Sequence, residues 1–457
     1  MLNKIIDFSI FSVIFFNSII LFKTPFEFQL TYIPLIILLF IFIFKYRFPT
    51  KTLYLFIPLL IFGFINIFFN NNTVGDFFKI YINVFIGVLF FYYVFEYYDR
   101  DVEHFFSIYA KWAHVSALIC IVQLVSYWIG FKYGYDYHYL GFNKWGIIPG
   151  GLGLRVNGIF CEPSYVGSAL APAFFVSVYN LIFKQEKFIT KKMGIVIIIA
   201  YLLSFSTVAY LGIFITLFFI LLNFGLVRYF FLVLPISLAM FILLYTNVNE
   251  FKVRMDGLKA LYWDDIIEKE GIDASKSGVR NQQAQKNYLL TLVHGSSFVQ
   301  YNNYYIAKSN FLENPFFGTG LGSHGLAFKK YDQSSKLGNL YNNNQADANS
   351  MLLRTISEAG LFGVIFLFLF IKNNYVSRGN SPPELDYHWV LSNAILVLIL
   401  LQLARQGNYT FGGFMAYMWL YYYIKQDALI KEDELEELEK NKILQSQLPI
   451  QQEINTH

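Results

Sequence analysis

The chain has 457 residues and a net charge of +4, with 56% hydrophobic, 20% aromatic and only 14% charged side chains. A soluble domain carries about 25% charged residues and could not hide this much Phe, Ile, Leu and Tyr, so a soluble fold and intrinsic disorder are both excluded. Two cysteines exclude a disulfide scaffold, and the small, dispersed charge gives nucleic acid no footing, which leaves an all-α polytopic membrane protein.

A helix crosses the hydrocarbon core with ~20 apolar residues. In chain order the candidate spans are 6–22, 30–44, 53–69, 80–95, 109–130, 163–183, 194–206, 208–224, 228–246, 350–371, 388–404 and 409–424, about twelve transmembrane helices in all. The stretch 194–224 overshoots one bilayer crossing, and Ser204, Phe205, Ser206 and Thr207 supply the break that divides it. Lys45, Arg47, Lys51, Arg100, Lys184, Lys187, Lys191, Lys192, Arg228, Lys372 and Arg378 all fall in loops that are cytoplasmic when the N-terminus is inside. The first span lacks a small-residue cleavage site and reads as a retained anchor.

This orientation gives transmembrane helices 1–5 in 1–130, an outer loop in 131–162 and helices 6–9 in 163–246. A large outer loop follows in 247–349, then helices 10–12 in 350–424 and an acidic cytoplasmic tail in 425–457 that reads as a solvated helix. Within the large loop, Tyr288, Leu289, Leu292, Phe298, Tyr305 and Phe311 recur at roughly helical spacing, predicting helix in 281–313. The chain has no H-E-x-x-H, Walker-type phosphate loop, G-x-S-x-G elbow or dinucleotide fingerprint, so zinc, ATP and hydrolase chemistries lose their usual signatures.

Three polar clusters lie on the outer side. The first, 155–164, reads RVNGIFCEPS and opens the sixth span. Pro163 suits a first helical turn and Glu162 its N-terminal end, while Arg155 presents the planar fork of donors that suits phosphate. The alternative is a plain helix cap and a snorkelling arginine. The second, 314–325, reads NPFFGTGLGSHG, which is turn chemistry around His324, a group able to exchange protons near neutral pH. A simple loop with a solvated histidine is the competing view. The third, 349–363, reads NSMLLRTISEAGLFG. Arg354 and Glu358 are four residues apart and can pair, and Gly360 and Gly363 allow close helix packing. Arg405 joins this group at the outer end of the eleventh span.

In this order these clusters resemble the O-antigen ligase and polymerase superfamily, above all the Wzy-type O-antigen polymerases. Arg155, Gly158, Glu162, Pro163 and Ser164 match one family motif. Pro315, Gly318 and Gly320 match a Pro-x-x-Gly-x-Gly loop, and Glu358, Gly360 and Gly363 match a Glu with Gly-x-x-Gly. The chain departs from the family twice. Asn349 stands where the ligases have a histidine. Gln300 stands fifteen residues before Pro315, where many members have an arginine, so Arg280 is the candidate for that role.

The resemblance implies a GT-C-like fold and metal-independent, cofactor-free inverting glycosyl transfer at the periplasmic face of the bacterial inner membrane. The donor and acceptor partners would be glycans linked to undecaprenyl pyrophosphate, and the lipid bilayer and a chain-length regulator complete the implied partners. Arg155, Arg280 and Arg405 would bind the pyrophosphate. Glu162 or His324 would be catalytic, taking the proton of the attacking hydroxyl. A lipid-linked oligosaccharide flippase and an O-antigen ligase are the rival readings, and a channel is disfavoured by the lack of a repeated filter element.

Overall fold

The structure, a computed structural model, describes residues 2–23, 27–226, 295–333, 344–379, 386–410 and 413–454, with short stretches between 238 and 255. Apolar runs ended by polar caps dictate its helices. α1 covers Leu2–Phe15, α2 Tyr32–Lys45, α3 Thr50–Phe69, α4 Val74–Tyr97 and α5 Val102–Trp128. A four-residue helix, α6 (Lys132–Tyr135), leads to α7 (Pro163–Ala169), α8 (Ala171–Phe183), α9 (Lys191–Leu203) and α10 (Thr207–Asn223). Then come α11 (Gly295–Glu313), α12 (His324–Tyr331), α13 (Met351–Asn374), α14 (Asp386–Arg405) and α15 (Phe414–Ile454). Side-chain caps start several of them. Thr73 accepts from Asp76 N, Asp101 from His104 N and Ser350 from Leu353 N, each satisfying an otherwise orphaned first-turn donor.

Among the described residues, four helices are long and apolar enough to cross a membrane: Val74–Tyr97, Val102–Trp128, Met351–Asn374 and Tyr387–Arg405. The pair α7 and α8 adds a fifth if its 57° bend lies within one span, and α2, part of α3 and α10 are shorter apolar helices. The exposed faces carry Phe40, Phe44, Phe68 and Phe69, an outside that suits lipid and not water. This is the architecture of a helical membrane protein. α14 is its axis: 89% of its apolar window is buried, against 28% for α13.

Contacts sort the helix ends into two groups. At one end, Lys144 pairs with Glu27, Val156 N donates to Leu203 O, Asn72 donates to Leu321 O and Ser350 Oγ donates to Leu403 O. At the other, Tyr98 donates to Asp7, Lys187 pairs with Glu103, Phe224 packs on Trp389, and Tyr387 and His388 both bond Asp427. The helices therefore run up and down between these ends. All three polar clusters of the sequence lie at the first, the motif end.

Several expected spans take another form. The span expected at 6–22 stops as a helix at Phe15, because the backbone beyond it has better partners. Ile20–Phe22 pairs antiparallel with Phe28–Gln29, Ser18 Oγ donates to Ile159 O, and Lys144 N donates to Ser18 O. Residues 194–224 form two helices with a turn at Ser204–Ser206. α9 stacks Tyr201 on Phe174 of α8, and α10 then runs back beside α14, where Asn223 meets Asn393. The 163–183 span is broken at Leu170, and the Tyr109 hydroxyl bridges the break by donating to Ala169 O and accepting from Ala173 N. α15 runs without a break from Phe414 to Ile454, so most of the stretch expected as the last span and most of the acidic tail form one helix. The segment 131–162 adds a small antiparallel hairpin, Ile148–Gly150 with Gly153–Arg155. Most of the 228–246 span, and residues 281–294 of the helix predicted within the large loop, lie outside the described residues; 295–313 is helical.

Candidate functional site

The second and third clusters interlock. Within α13, Gly360 adopts φ 58° and ψ −150°, which breaks the helix and frees carbonyls upstream of it. The loop at Pro315–Gly320 fills the break. Gly320 N donates to Glu358 O at 2.8 Å, Thr319 N to Ser357 O at 3.2 Å, and Leu361 N to Pro315 O at 2.8 Å. A side chain on Gly318 would strike the Glu358 carbonyl at 2.5 Å, so a glycine there is what lets the two backbones meet. The sequence expectation of helix–helix packing at Gly360 is thus replaced by loop–helix docking.

This docking delivers Glu358 into a buried cluster. Arg354 Nε donates to Glu358 Oε1 at 3.0 Å, with the two side chains 4% and 0% exposed. Arg354 Nη1 donates to Gly407 O at 2.9 Å and its guanidinium lies 4.4 Å from the centre of the Tyr409 ring. The Tyr409 hydroxyl donates to Glu358 Oε2 at 3.0 Å. The pair therefore clasps the 405–409 turn, which carries Arg405. The same turn rests on the loop before α13, where Gly407 lies against the Asp347 carbonyl so closely that any side chain would overlap it. In that loop Asn344, Ala348 and Asn349 all have positive φ, a concentration of backbone strain of the kind that functional sites hold.

Arg405 donates through Nη1 to Gln300 Oε1, and Gln300 Nε2 donates to Ala404 O at 3.3 Å. Gln300 is thus directly beside Arg405. Arg155 sits on the β-hairpin of the 131–162 segment and donates through Nε to Ser204 O at 3.4 Å, in the α9–α10 turn. Its loop is fixed from α5. Gln123 Oε1 accepts from Asn157 N and Gly158 N at 3.0 and 2.8 Å, while its amide donates to Asn157 Oδ1 at 2.8 Å. Sequence reading passed over Gln123, whose signal was a lone amide inside an apolar run. Glu162 is exposed at the N-terminal end of α7 and accepts from the Ser164 hydroxyl. Arg280 lies outside the described residues.

His324 is not where a solvent-facing base would be. Its ring is fully buried at the start of α12, with Nε2 against Asn303 Oδ1 at 3.1 Å and Nδ1 unpaired. Asn303 gives its amide N–H to Val299 O, so the histidine is the donor between them. Burial, and then the nearby Arg354 charge, push the imidazole down to about 3. The lowered value means that the unfolded chain takes up a proton first as pH falls. Stability held at pH 7 is therefore lost below the ordinary histidine range at about 1.4 kcal/mol per pH unit. The unfolding temperature in detergent should drop between pH 7 and pH 5, and His324→Gln should flatten that drop.

The first cluster joins the others through a crevice among α1, α7 and α14, lined by Asn17, Tyr165, Ser168, Gln402 and Gln406. No group of three or more His, Cys, Asp or Glu side chains gathers among the described residues. No protein-family model matches this chain, and no curated protein does. What the geometry offers by itself is a fixed guanidinium at Arg405, another at Arg155 and an exposed carboxylate at Glu162, all at the same end of the bundle. A guanidinium suits an anion, and an exposed carboxylate can accept a proton.

Proposed function

We propose that this protein is a polysaccharide polymerase that joins lipid-linked oligosaccharide repeat units on the outer side of the bacterial inner membrane. The observation that carries this reading is the interlock at one end of the bundle. The Pro315–Gly320 loop seats in the α13 break, and the clasped turn holds Arg405 against Gln300. Motifs far apart in sequence have no reason to converge this way in a protein that merely fills a bilayer.

In the mechanism, Arg155 and Arg405, with Arg280, neutralise the departing pyrophosphate of the undecaprenyl carrier. Glu162 takes the proton from the hydroxyl of the acceptor glycan as its oxygen attacks the anomeric carbon. Burial removes His324 from that step, and its place beside Asn303 and Glu358 makes it a support for the loop. Arg155→Lys keeps the charge and loses the fork. Polymer formation should fall on the order of 10²-fold, read as shortened chains on a gel of surface glycan. Glu162→Gln should leave the protein folded and abolish long chains; normal chain lengths in either variant would remove that residue from its role.

A lipid-linked oligosaccharide flippase is the second reading. The breaks in α13 and between α7 and α8 favour it, because transporters build binding sites at discontinuous helices. A deletion strain separates the readings. Single repeats on the surface mean polymerase, carrier-bound polymer with bare core means ligase, and no outward glycan means flippase.

A further inference from the structure

Four buried amide atoms without hydrogen-bond partners meet in the crevice among α1, α7 and α14. Asn17, Gln402 and Gln406 are 3%, 2% and 7% exposed. Asn17 Oδ1, Gln402 Oε1, and both Oε1 and Nε2 of Gln406 make no hydrogen bond. All three side chains line the same space, together with Tyr165 and Ser168. Each such orphan costs about 1–3 kcal/mol while nothing bonds it. Leucine at these positions would avoid that cost, so the amides are more readily explained by something they bind than by packing.

Their chemistry selects the ligand. Three of the four atoms are acceptors and one is a donor, so the entering group must be able both to donate and to accept. A hydroxyl does both, with one O–H and two lone pairs, whereas an ionised phosphate or carboxylate oxygen offers only lone pairs to three carbonyl dipoles. The crevice has a volume of about 10 Å³, room for one water-sized group. A single hydroxyl therefore enters while the rest of its ring stays outside. Its position selects which sugar: Gln406 directly follows Arg405, and Tyr165 lies one helical turn beyond Glu162.

We propose that the Asn17–Gln402–Gln406 crevice is a hydroxyl-reading subsite for the neutral sugar next to the pyrophosphate of the lipid-linked donor. This rests on the glycosyl-transfer reading and adds to it a specificity determinant. The anionic leaving group is held by guanidinium groups, and the first sugar is recognised by neutral amides.

Two measurements test it on the purified full-length protein in nanodiscs. Gln402→Leu and Gln406→Leu remove orphaned atoms at nearly constant volume. Their unfolding temperatures should equal or exceed that of the parent, while KM for the lipid-linked repeat rises about tenfold or more and kcat falls less. Stable variants with parental KM would overturn the subsite. The second measurement uses the unsubstituted protein, so it survives if the variants fail to fold. Undecaprenyl pyrophosphate carrying the host oligosaccharide should raise the unfolding temperature more than bare undecaprenyl pyrophosphate does; equal shifts would overturn the proposal. If the glycan-bearing lipid stabilises the protein more strongly but no elongation occurs, the subsite stands and the polymerase reading falls.

Discussion

Replacing Gly360 by alanine should destabilise the protein by about 3 kcal/mol or more, a large share of the ~5–15 kcal/mol that holds a typical domain folded. Two effects add. The φ of 58° and ψ of −150° belong to a backbone region open almost only to glycine. A methyl group there would also lie 2.7 Å from both Gly318 N and Pro315 O, which are backbone atoms and cannot swing aside. The loop would have to leave the break in α13, removing the Gly320 N–H from the Glu358 carbonyl inside the bundle. Gly75 is the control. It lies in the first turn of α4 with open space around it, so Gly75→Ala should be neutral or slightly stabilising. Thermal unfolding of the two variants side by side checks this, and similar melting temperatures would show that the interlock contributes little.

Breaking the buried ion pair should cost about as much. Arg354→Met leaves the Glu358 carboxylate with only the Tyr409 hydroxyl and a long contact from His324 N, a loss of about 3–5 kcal/mol. Glu358→Gln leaves the guanidinium with the Gly407 carbonyl and the Tyr409 ring and should cost less, because the amide still accepts from Arg354. The double variant Arg354→Met/Glu358→Leu should recover most of the Arg354→Met loss, since no uncompensated charge remains. Its activity is the informative readout. If the proposed polymerase activity holds and the pair exists to hold the turn bearing Arg405, the double variant folds but elongates glycan poorly, with a raised KM for the proposed lipid-linked donor. Full activity in a stable double variant would reduce the pair to a packing element.

The positions of the candidate groups were partly legible beforehand. Arg354 and Glu358 sit four residues apart inside an apolar run, and the pairing follows from helix geometry alone. The N-terminal proline of α7 was likewise readable, because its effect is confined to the first helical turn. Gly360 was seen but misassigned. A glycine in a helical pattern signals close approach by something, and sequence does not say whether that is a helix face or a loop arriving from forty residues away. His324 was misjudged for a similar reason. Histidine in a glycine-rich loop looks solvated until α11 and α13 cover it. Gln402 and Gln406 were passed over because a neutral amide in a span carries no charge signal.

Composition and hydropathy therefore determined by themselves that this chain is a helical membrane protein, and where most of its helices lie, since transfer of apolar side chains out of water is set residue by residue. Capping and the Arg354–Glu358 spacing are local in the same sense. Tertiary structure alone decided that α1 ends early in a strand, that α13 is broken to receive a loop, and that Gln300 stands beside Arg405. Each of these depends on a backbone or amide group finding a partner more than a hundred residues away or in a separate element. Hydrogen bonds of that kind depend on geometry that no local pattern encodes.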